Sequence, residues 1–172
     1  TFSKGGAPII DTTDLTELIN ETTNFSLRGS NVKHEISISQ DLWNAEVDKG
    51  QINQVLHNLV LNAQQAMPDG GTVKINAKNF TVTSTNNIPL SDGEYIEISV
   101  TDTGIGIPEA SLSKIFDPYY STKQKGSGLG LTTTYSILKR HGGHITLESE
   151  NKFGTTFYIY LPASWRQIED SG

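Results

Sequence analysis

Two glycine-rich motifs in the second half of the chain constrain its fold more than any other feature. The first, Asp102-Thr-Gly-Ile-Gly106, follows an apolar run typical of a buried strand. The second, Gly126-Ser-Gly-Leu-Gly-Leu131, opens a segment with helical periodicity. Glycine lets the backbone turn sharply and approach a bound group closely, but a lone glycine cluster is weak support for a site. Free backbone N–H groups at a helix start favour phosphate, and an aspartate at a strand end can accept a hydrogen bond. Together they are more specific evidence for a binding site than glycines alone.

A third element places two asparagines one helical turn apart. Asn58 and Asn62 lie in a segment whose apolar residues follow helical spacing, so both amides project from one face beside the buried stripe. An amide oxygen and phosphate oxygens together make a suitable ligand set for Mg²⁺. Combined with the two glycine motifs, the arrangement predicts a nucleotide pocket. Taken alone, the two asparagines are better explained as part of a solvent-facing surface.

Composition excludes several other classes of protein. A chain of 172 residues can form one domain with a substantial core, and its hydrophobic fraction of 35% is compatible with a globular protein. The formal charge of −6 argues against a nucleic-acid-binding surface. No apolar run reaches the roughly 20 residues that span a bilayer, so we expect no direct membrane contact by this chain. The expected location is the cytoplasm, with membrane anchoring of a parent protein through segments outside this chain left open. The absence of cysteine excludes disulfides and thiolate metal sites.

Hydrophobic periodicity predicts a mixture of helices and strands. Asp14 and Asp48 are the expected N-caps of two helices, the first in a capping box with Glu17. Strands that are far apart in sequence must share one sheet with the helices on one face, which predicts a two-layer α/β sandwich. The expected buried stripes are Leu15, Leu18, Ile19, Thr22 and Phe25 in the first helix, and Ile52, Val55, Leu56, Leu59, Ala63 and Ala66 in the second. Strands are expected at residues 32–39 (inner face Val32, His34, Ile36 and Ile38), 72–82, 94–101, 144–149 and 155–161, and further helices at 108–116 and 129–140.

The order of the motifs resembles the ATP-binding catalytic domain of bacterial two-component sensor histidine kinases. Besides the asparagine pair and the two glycine motifs, the chain carries that family's Phe-Asp-Pro-Tyr-Tyr segment at residues 116–120 and its final Gly-Thr at Gly154 and Thr155. The resemblance covers residues 14–162. It implies the Bergerat ATP-binding fold, an α/β two-layer sandwich with a mixed, mostly antiparallel sheet and helices on one face. Residues 1–13 are then a linker or the end of an upstream dimerisation hairpin, and residues 163–172 a tail or connector.

The site residues follow partly from chemistry and partly from the resemblance. Asp102 can accept a hydrogen bond from the exocyclic amine of adenine, directly or through water, whereas guanine offers a carbonyl there and would be rejected. By resemblance, Asn62 would bind Mg²⁺, and Asn58 and Lys123 would act at the phosphates as the catalytic candidates. The expected nucleotide-binding set is Asn58, Asn62, Asp102, Gly104, Gly106, Ile107, Tyr120, Lys123, Ser127, Gly128, Leu129, Gly130, Leu131 and Thr156, with Asn62 as the metal ligand.

Several of these assignments have structural alternatives. Phe116, Tyr119 and Tyr120 are compatible with the hinge and wall of a mobile lid or with plain core packing. Lys125 is compatible with a phosphate contact or with a solvated surface. Thr156 would contact the adenine edge by resemblance, although a threonine in a strand needs no such role. Asp102 could instead only cap its own turn.

The resemblance implies transfer of the γ-phosphate of ATP to a histidine that this chain lacks. His34 falls in an alternating strand, whereas the family's acceptor lies on a helix, and the other histidines, His57, His141 and His144, fit surface, packing or helix-end positions. We therefore expect the catalytic fragment of a protein histidine kinase that does not autophosphorylate alone. Its expected partners are ATP with Mg²⁺, an upstream dimerisation and phosphotransfer domain in a homodimeric parent, and a response-regulator receiver domain.

Two other functions compete with this interpretation. ATP hydrolases of the same fold, such as gyrase, carry a glutamate where this chain has Asn58, and an asparagine cannot act as the general base for water. The second competitor is a degenerate nucleotide pocket used for regulation, or a serine-directed anti-sigma kinase. The intact motifs argue against a degenerate pocket, and the aromatic segment 116–120 favours a sensor kinase.

Overall fold

The computed structural model describes residues 6–86, 88–106, 128–150 and 153–164, with only the backbone at 128–130 and 150. The predicted helix at 108–116 therefore lies outside the described residues. In chain order the elements are β1 (Asp11–Thr13), α1 (Leu15–Ser26), β2 (Val32–Ile38), β3 (Asn44–Val47), α2 (Lys49–Gln65), β4 (Gly71–Val82), β5 (Gly93–Asp102), α3 (Gly128–Arg140), β6 (His144–Glu150) and β7 (Gly154–Ser164).

The strands of the described chain form one seven-stranded sheet in the order β1-β3-β7-β5-β4-β2, with β6 also paired to β7. Strand β2 runs parallel to β4, and the other pairs are antiparallel. The hairpin of β4 and β5 closes at Val82 and Gly93. Strand β5 pairs with β7 so that Asp102 lies opposite Thr155. The predicted α/β sandwich with a mixed, mostly antiparallel sheet is confirmed.

Both predicted helix N-caps are confirmed. Oδ1 of Asp14 accepts from the backbone N–H of Thr16 at 2.9 Å. Oδ1 of Asp48 accepts from the backbone N–H of Gln51 at 3.1 Å. Each bond satisfies one of the donors that an α-helix leaves without an internal partner at its start.

Most of the predicted buried residues lie in the main core. The helical stripes meet the inner sheet face, formed by residues such as Ile75, Ile98 and Ile159. Two predictions were wrong. The side chain of Phe25 is 64% exposed, because it lies beyond the buried stripe of α1, at the solvent edge of the helix. The side chain of His34 is exposed on the edge strand β2. Ala66, just past the end of α2, is only half-buried.

The sheet extends beyond the expected domain boundaries at both ends. Strand β1 falls within the range expected to be a linker, and β7 continues to Ser164. The short strands β1 and β3 had no counterpart in the sequence prediction. A smaller cluster of Val82, Tyr95 and Tyr160 packs with partly buried Phe80, Ile88, Leu90 and Tyr158, so the connection between β4 and β5 covers part of the outer sheet face.

Candidate functional site

The carboxylate of Asp102 is a buried polar group of the predicted site. It ends the central strand β5 and is only 6% exposed. The backbone N–H of Gly104 donates to its Oδ1 at 2.9 Å, and the backbone N–H of Thr155 donates to the same carboxylate. Burial raises the pKa of Asp102 above its ordinary value, and the two N–H donors offset part of that effect. The surrounding backbone thus fixes the carboxylate in position.

The loop that follows Asp102 packs against the end of α2. A Cβ added at Gly104 would lie 2.1 Å from the carbonyl oxygen of Ala66, so any side chain there would force the loop off the helix. The backbone N–H of Ile105 donates to the same carbonyl at 3.3 Å. Gly106 has a φ of 72°, in the left-handed region that favours glycine. The loop therefore depends on Gly104 for its close approach to Ala66 and on Gly106 for its positive φ.

The opposite side of Asp102 is closed by the start of β7. A Cβ at Gly154 would lie 2.3 Å from the carbonyl oxygen of Asp102, and the φ of this glycine is 121°. A side chain at this position would separate β7 from the end of β5. Gly154 of the final Gly-Thr motif is thus required for the backbone contact beside the carboxylate.

Helix α2 brings both predicted asparagines to the same region. Asn62 lies one turn before Ala66, and its backbone carbonyl accepts from the N–H of Ala66 at 3.0 Å. Its side-chain Nδ2 is buried and has no hydrogen-bond partner within the described part of the chain. A buried donor of this kind costs free energy unless a bound group supplies an acceptor. Because Ala66 also contacts Gly104, the asparagine helix and the Asp102 loop share one rim.

Asn58 faces the helix that follows the second glycine motif. Its Nδ2 donates to Oγ1 of Thr134 on α3 at 3.4 Å. Gly128, Leu129 and Gly130 form the first turn of α3, so the motif does open a helix as predicted. Leu131 is buried within the main core. The expected site residues Ile107, Tyr120, Lys123 and Ser127, together with Phe116, Tyr119 and Lys125, lie outside the described residues.

The structure does not bring Thr156 together with Asp102. Side chains alternate between the two faces of a strand, and Thr156 pairs with Thr101 on the outer face, where their hydroxyls are 3.0 Å apart. Thr155 is the buried residue that faces the same side as Asp102, and its Oγ1 lies 2.8 Å from Oγ of Ser149. The sequence signal that favours Thr155 is its alternation with the buried side chains of Phe157 and Ile159.

Three of the four histidines make structural contacts. Nδ1 of His57 lies 2.7 Å from Oγ of Ser26, which joins α2 to α1. Nδ1 of His144 lies 3.2 Å from Nζ of Lys139. Burial, and secondarily the nearby Lys139 ammonium, lowers the pKa of His144. His141 is buried between α2 and α3.

The described residues also form a groove, but neither a cluster of metal-binding side chains nor a helix that could span a membrane. A groove of about 970 Å³ lies between α1 and the first turns of α2, lined in part by Leu18, Phe25 and His57. Of the predicted site residues that the structure describes, none lines this groove. Within the described ranges, no three His, Cys, Asp or Glu side chains come together to hold a metal ion. In the same ranges, no helix is sufficiently long and apolar to cross a membrane.

Comparison with known proteins identifies the family. The family model described as "Histidine kinase-, DNA gyrase B-, and HSP90-like ATPase" matches residues 47–164. The chain is 39% identical over 164 residues to the sensor kinase CckA of Brucella abortus, covering 91% of this chain but 17% of that protein. It is 31% identical to the solved catalytic domain of the histidine kinase ThkA, with a TM-score of 0.72, covering 90% of this chain and 95% of that one.

A second solved structure is similar in fold alone. Full-length ShkA, solved in complex with AMPPNP, has a TM-score of 0.72 at 21% identity, covering 91% of this chain and 31% of that one.

Together with the fold and the shared rim at Ala66, these similarities show that the chain belongs to the family of histidine kinase-, DNA gyrase B-, and HSP90-like ATPases. Within that family, it resembles the catalytic domains of sensor histidine kinases.

Proposed function

We propose that the chain is the ATP-binding catalytic domain of a sensor histidine kinase in two-component signalling. The observation that carries this proposal is the contact of Gly104 with Ala66, which places the Asp102 loop and the asparagine helix at one rim. The loop offers a carboxylate that can accept a hydrogen bond from adenine, and the helix offers amides that can contact the phosphates. The similarity to CckA and to the ThkA catalytic domain supports the same function.

Asp102 is the proposed determinant of the base. Its carboxylate accepts two backbone hydrogen bonds and retains acceptor capacity for the exocyclic amine of adenine. Guanine has a carbonyl at the corresponding position, so two acceptors would face each other and the remaining acceptor capacity of the buried carboxylate would stay unused. We propose Thr155 as the hydroxyl beside this contact, since it lies opposite Asp102 on the same side of the sheet.

Asn62 is the proposed protein contact for Mg²⁺ and the phosphates. The buried, unpartnered Nδ2 fits a phosphate oxygen as acceptor, and the amide oxygen of the same side chain fits a hard divalent cation. The described chain offers no metal cage of its own, which suits an ion that enters with the triphosphate and keeps several waters. Bound there, Mg²⁺ would neutralise negative charge on the phosphates.

The proposed reaction is transfer of the γ-phosphoryl group to a histidine of a dimerisation and phosphotransfer domain outside this chain. The imidazole nitrogen forms the new P–N bond, the bond to the β-phosphate oxygen breaks, and ADP leaves. Because the histidine is itself the nucleophile, no general base for water is needed from this domain. An asparagine at position 58, which cannot act as a general base, is therefore compatible with this reaction. The site's role is mainly to position the reacting groups and neutralise charge. We propose that Lys123 adds positive charge at the phosphates.

The proposed partners and cellular location follow from the same proposed function. The parent protein is proposed to be a homodimer that contributes the acceptor histidine, and the phosphoryl group is proposed to pass to a receiver domain of a response regulator. We place the domain in the cytoplasm, where ATP is available. The chain spans 17% of the length of CckA, so these partners belong to the proposal for the whole protein.

Two measurements on the same preparation test the function. Calorimetric titration with a non-hydrolysable ATP analogue, with and without Mg²⁺, should show saturable binding that Mg²⁺ strengthens. Mixing the chain with a separately produced histidine-bearing hairpin domain and ATP should yield acid-labile phosphohistidine on the hairpin. Asn62→Ala should remove most of the Mg²⁺ dependence, whereas Asn24→Ala, at an exposed position of α1, should not.

The alternative outcomes separate the competing functions. Absence of nucleotide binding would support a degenerate pocket. Steady ATP turnover by the chain alone, faster than about 0.1 s⁻¹, would instead support a hydrolase and contradict the kinase proposal.

A further inference from the structure

Thr134 is a polar residue within the buried face of α3. Leu131, Leu138 and His141 share that face at helical spacing, and Thr134 is 0% exposed. Leu131 and Leu138 pack against the core with apolar side chains. A buried hydroxyl costs free energy unless it is hydrogen-bonded, so its presence at this position calls for a partner.

The partner on the neighbouring helix is Asn58. Its Nδ2 donates to Oγ1 of Thr134 at 3.4 Å, across the interface between α2 and α3. This separation is at the long end for a hydrogen bond, so a shift of a few tenths of an ångström between the helices changes its strength considerably. The bond thus makes the orientation of the Asn58 amide depend on the position of α3.

We infer that Thr134 is a positioning residue, whose hydroxyl holds the Asn58 amide in the orientation required for phosphoryl transfer. The inference rests on the proposed function, since it concerns the role of Asn58 at the phosphates. Helix α3 begins at Gly128, within the second glycine motif, so Thr134 connects the helix that starts at that motif to the asparagine helix. A side chain with the shape of threonine but no hydroxyl would fill the same space and remove this hydrogen bond to the Asn58 amide.

The decisive variant is Thr134→Val, which keeps the branched shape and removes the hydroxyl. The rate of phosphoryl transfer to the separately produced histidine-bearing domain should fall about 5- to 10-fold, or about 1.0–1.4 kcal/mol. The affinity for the non-hydrolysable analogue should change by less than about twofold, because Thr134 orients Asn58 without contacting nucleotide. Thr134→Ser, which retains the hydroxyl, should keep most of the rate.

A double-mutant cycle separates positioning from general packing. In an Asn58→Ala background, Thr134→Val should have little further effect on the transfer rate. The matched control is Thr22→Val: Thr22 is also buried, and its Oγ1 donates to Oδ1 of Asn53 on α2 at 2.5 Å, away from the proposed site. This control should lower thermal stability but leave the transfer rate near that of the unsubstituted chain.

A spectroscopic measurement tests the contact without nucleotide. In ¹H–¹⁵N spectra, Thr134→Val should move the side-chain amide resonances of Asn58, and Thr22→Val should leave them in place. Unmoved Asn58 resonances, or an equal loss of rate in both Asn58 backgrounds, would overturn the inference while leaving the proposed function intact. Absence of both nucleotide binding and transfer in the unsubstituted chain would instead overturn the proposed function, and the inference with it.

Discussion

The backbone N–H of Asp48 donates to Nε2 of His141 at 3.0 Å and so joins the start of α2 to the end of α3. On the other side of the ring, Nδ1 lies 2.8 Å from the carbonyl oxygen of Ile137. Since the carbonyl requires a donor, Nδ1 carries the proton and Nε2 must be free to accept. This arrangement requires neutral His141, and protonation would break the bond between the two helices that flank the proposed site.

This relationship predicts a pH-dependent stability. Burial lowers the pKa of His141 below its ordinary value, despite the opposing effects of the Ile137 carbonyl and the Asp48 carboxylate. The folded state therefore resists protonation, and the free energy of unfolding should fall as the pH drops from about 6.5 toward the lowered pKa. His141→Gln should be less stable at pH 8 but show a flatter decline in urea-unfolding free energy between about pH 7 and 5.

His144 contributes to the same decline, because burial and Lys139 lower its pKa as well. The comparison is therefore made between variants rather than on the absolute slope. His34→Gln, on the exposed strand β2, is the control and should retain the slope of the unsubstituted chain. An equal slope for His141→Gln would show that neutral His141 is not what the fold requires.

Substitution of Asp102 should weaken nucleotide binding strongly. Asp102→Ala removes the proposed acceptor for the adenine amine, and we expect a loss of about 2–3 kcal/mol, or about 30- to 150-fold in the dissociation constant. Calorimetry with the non-hydrolysable analogue measures the change. Asp69→Ala, at an exposed turn after α2, should bind as the unsubstituted chain does. Unchanged affinity in Asp102→Ala would remove this residue from the proposed site.

Gly104 should tolerate no side chain. Gly104→Ala places a Cβ 2.1 Å from the backbone oxygen of Ala66, and backbone atoms cannot move aside as a flexible side chain can. We expect a loss of about 2–3 kcal/mol in unfolding free energy, with weakened nucleotide binding as the loop shifts. Gly50→Ala is the matched control, because its Cβ would meet only Oδ1 of Asp48 at 3.5 Å. A normal melting temperature for Gly104→Ala would show that the loop and α2 are less closely packed than described.

The two adjacent threonines of β7 should behave differently. Thr155→Val removes a buried hydroxyl on the Asp102 side of the sheet, and we expect about a 3- to 10-fold loss of nucleotide affinity, as for one hydrogen bond. Thr156→Val changes the outer face, where its hydroxyl pairs with Thr101, and should leave the affinity nearly unchanged. The opposite ranking of the two variants would restore the sequence-based assignment of Thr156 to the adenine edge.

The long elements could be predicted because their periodicity is local. The hairpin of β4 and β5 and the helix α2 each contain enough alternating or helical positions to define an inner face. Strands β1 and β3, with 3 and 4 residues, are too short to show such a pattern. Their pairing depends on residues distant in sequence, which local periodicity does not report.

The residues that form the site were more predictable from the sequence than the contacts between them. Asp102 and Asn62 could be proposed from their motifs, but the choice between Thr155 and Thr156 depends on which strand register places a hydroxyl beside Asp102. The contact between Gly104 and Ala66 joins separate motifs and follows only from how the loop meets the helix. Thr134 carries no motif of its own, and its relationship to Asn58 emerges from the packing of two helices.

The parallel pairing of β2 with β4 has a consequence for the order of assembly. The hairpins β4–β5 and β6–β7 pair strands that follow one another in the chain, whereas β3 and α2 lie between β2 and its partner β4. Closing that longer loop costs more conformational entropy before any ladder bond forms. We therefore expect the edge strand β2 to dock late during refolding, after the central strands have formed a template for it.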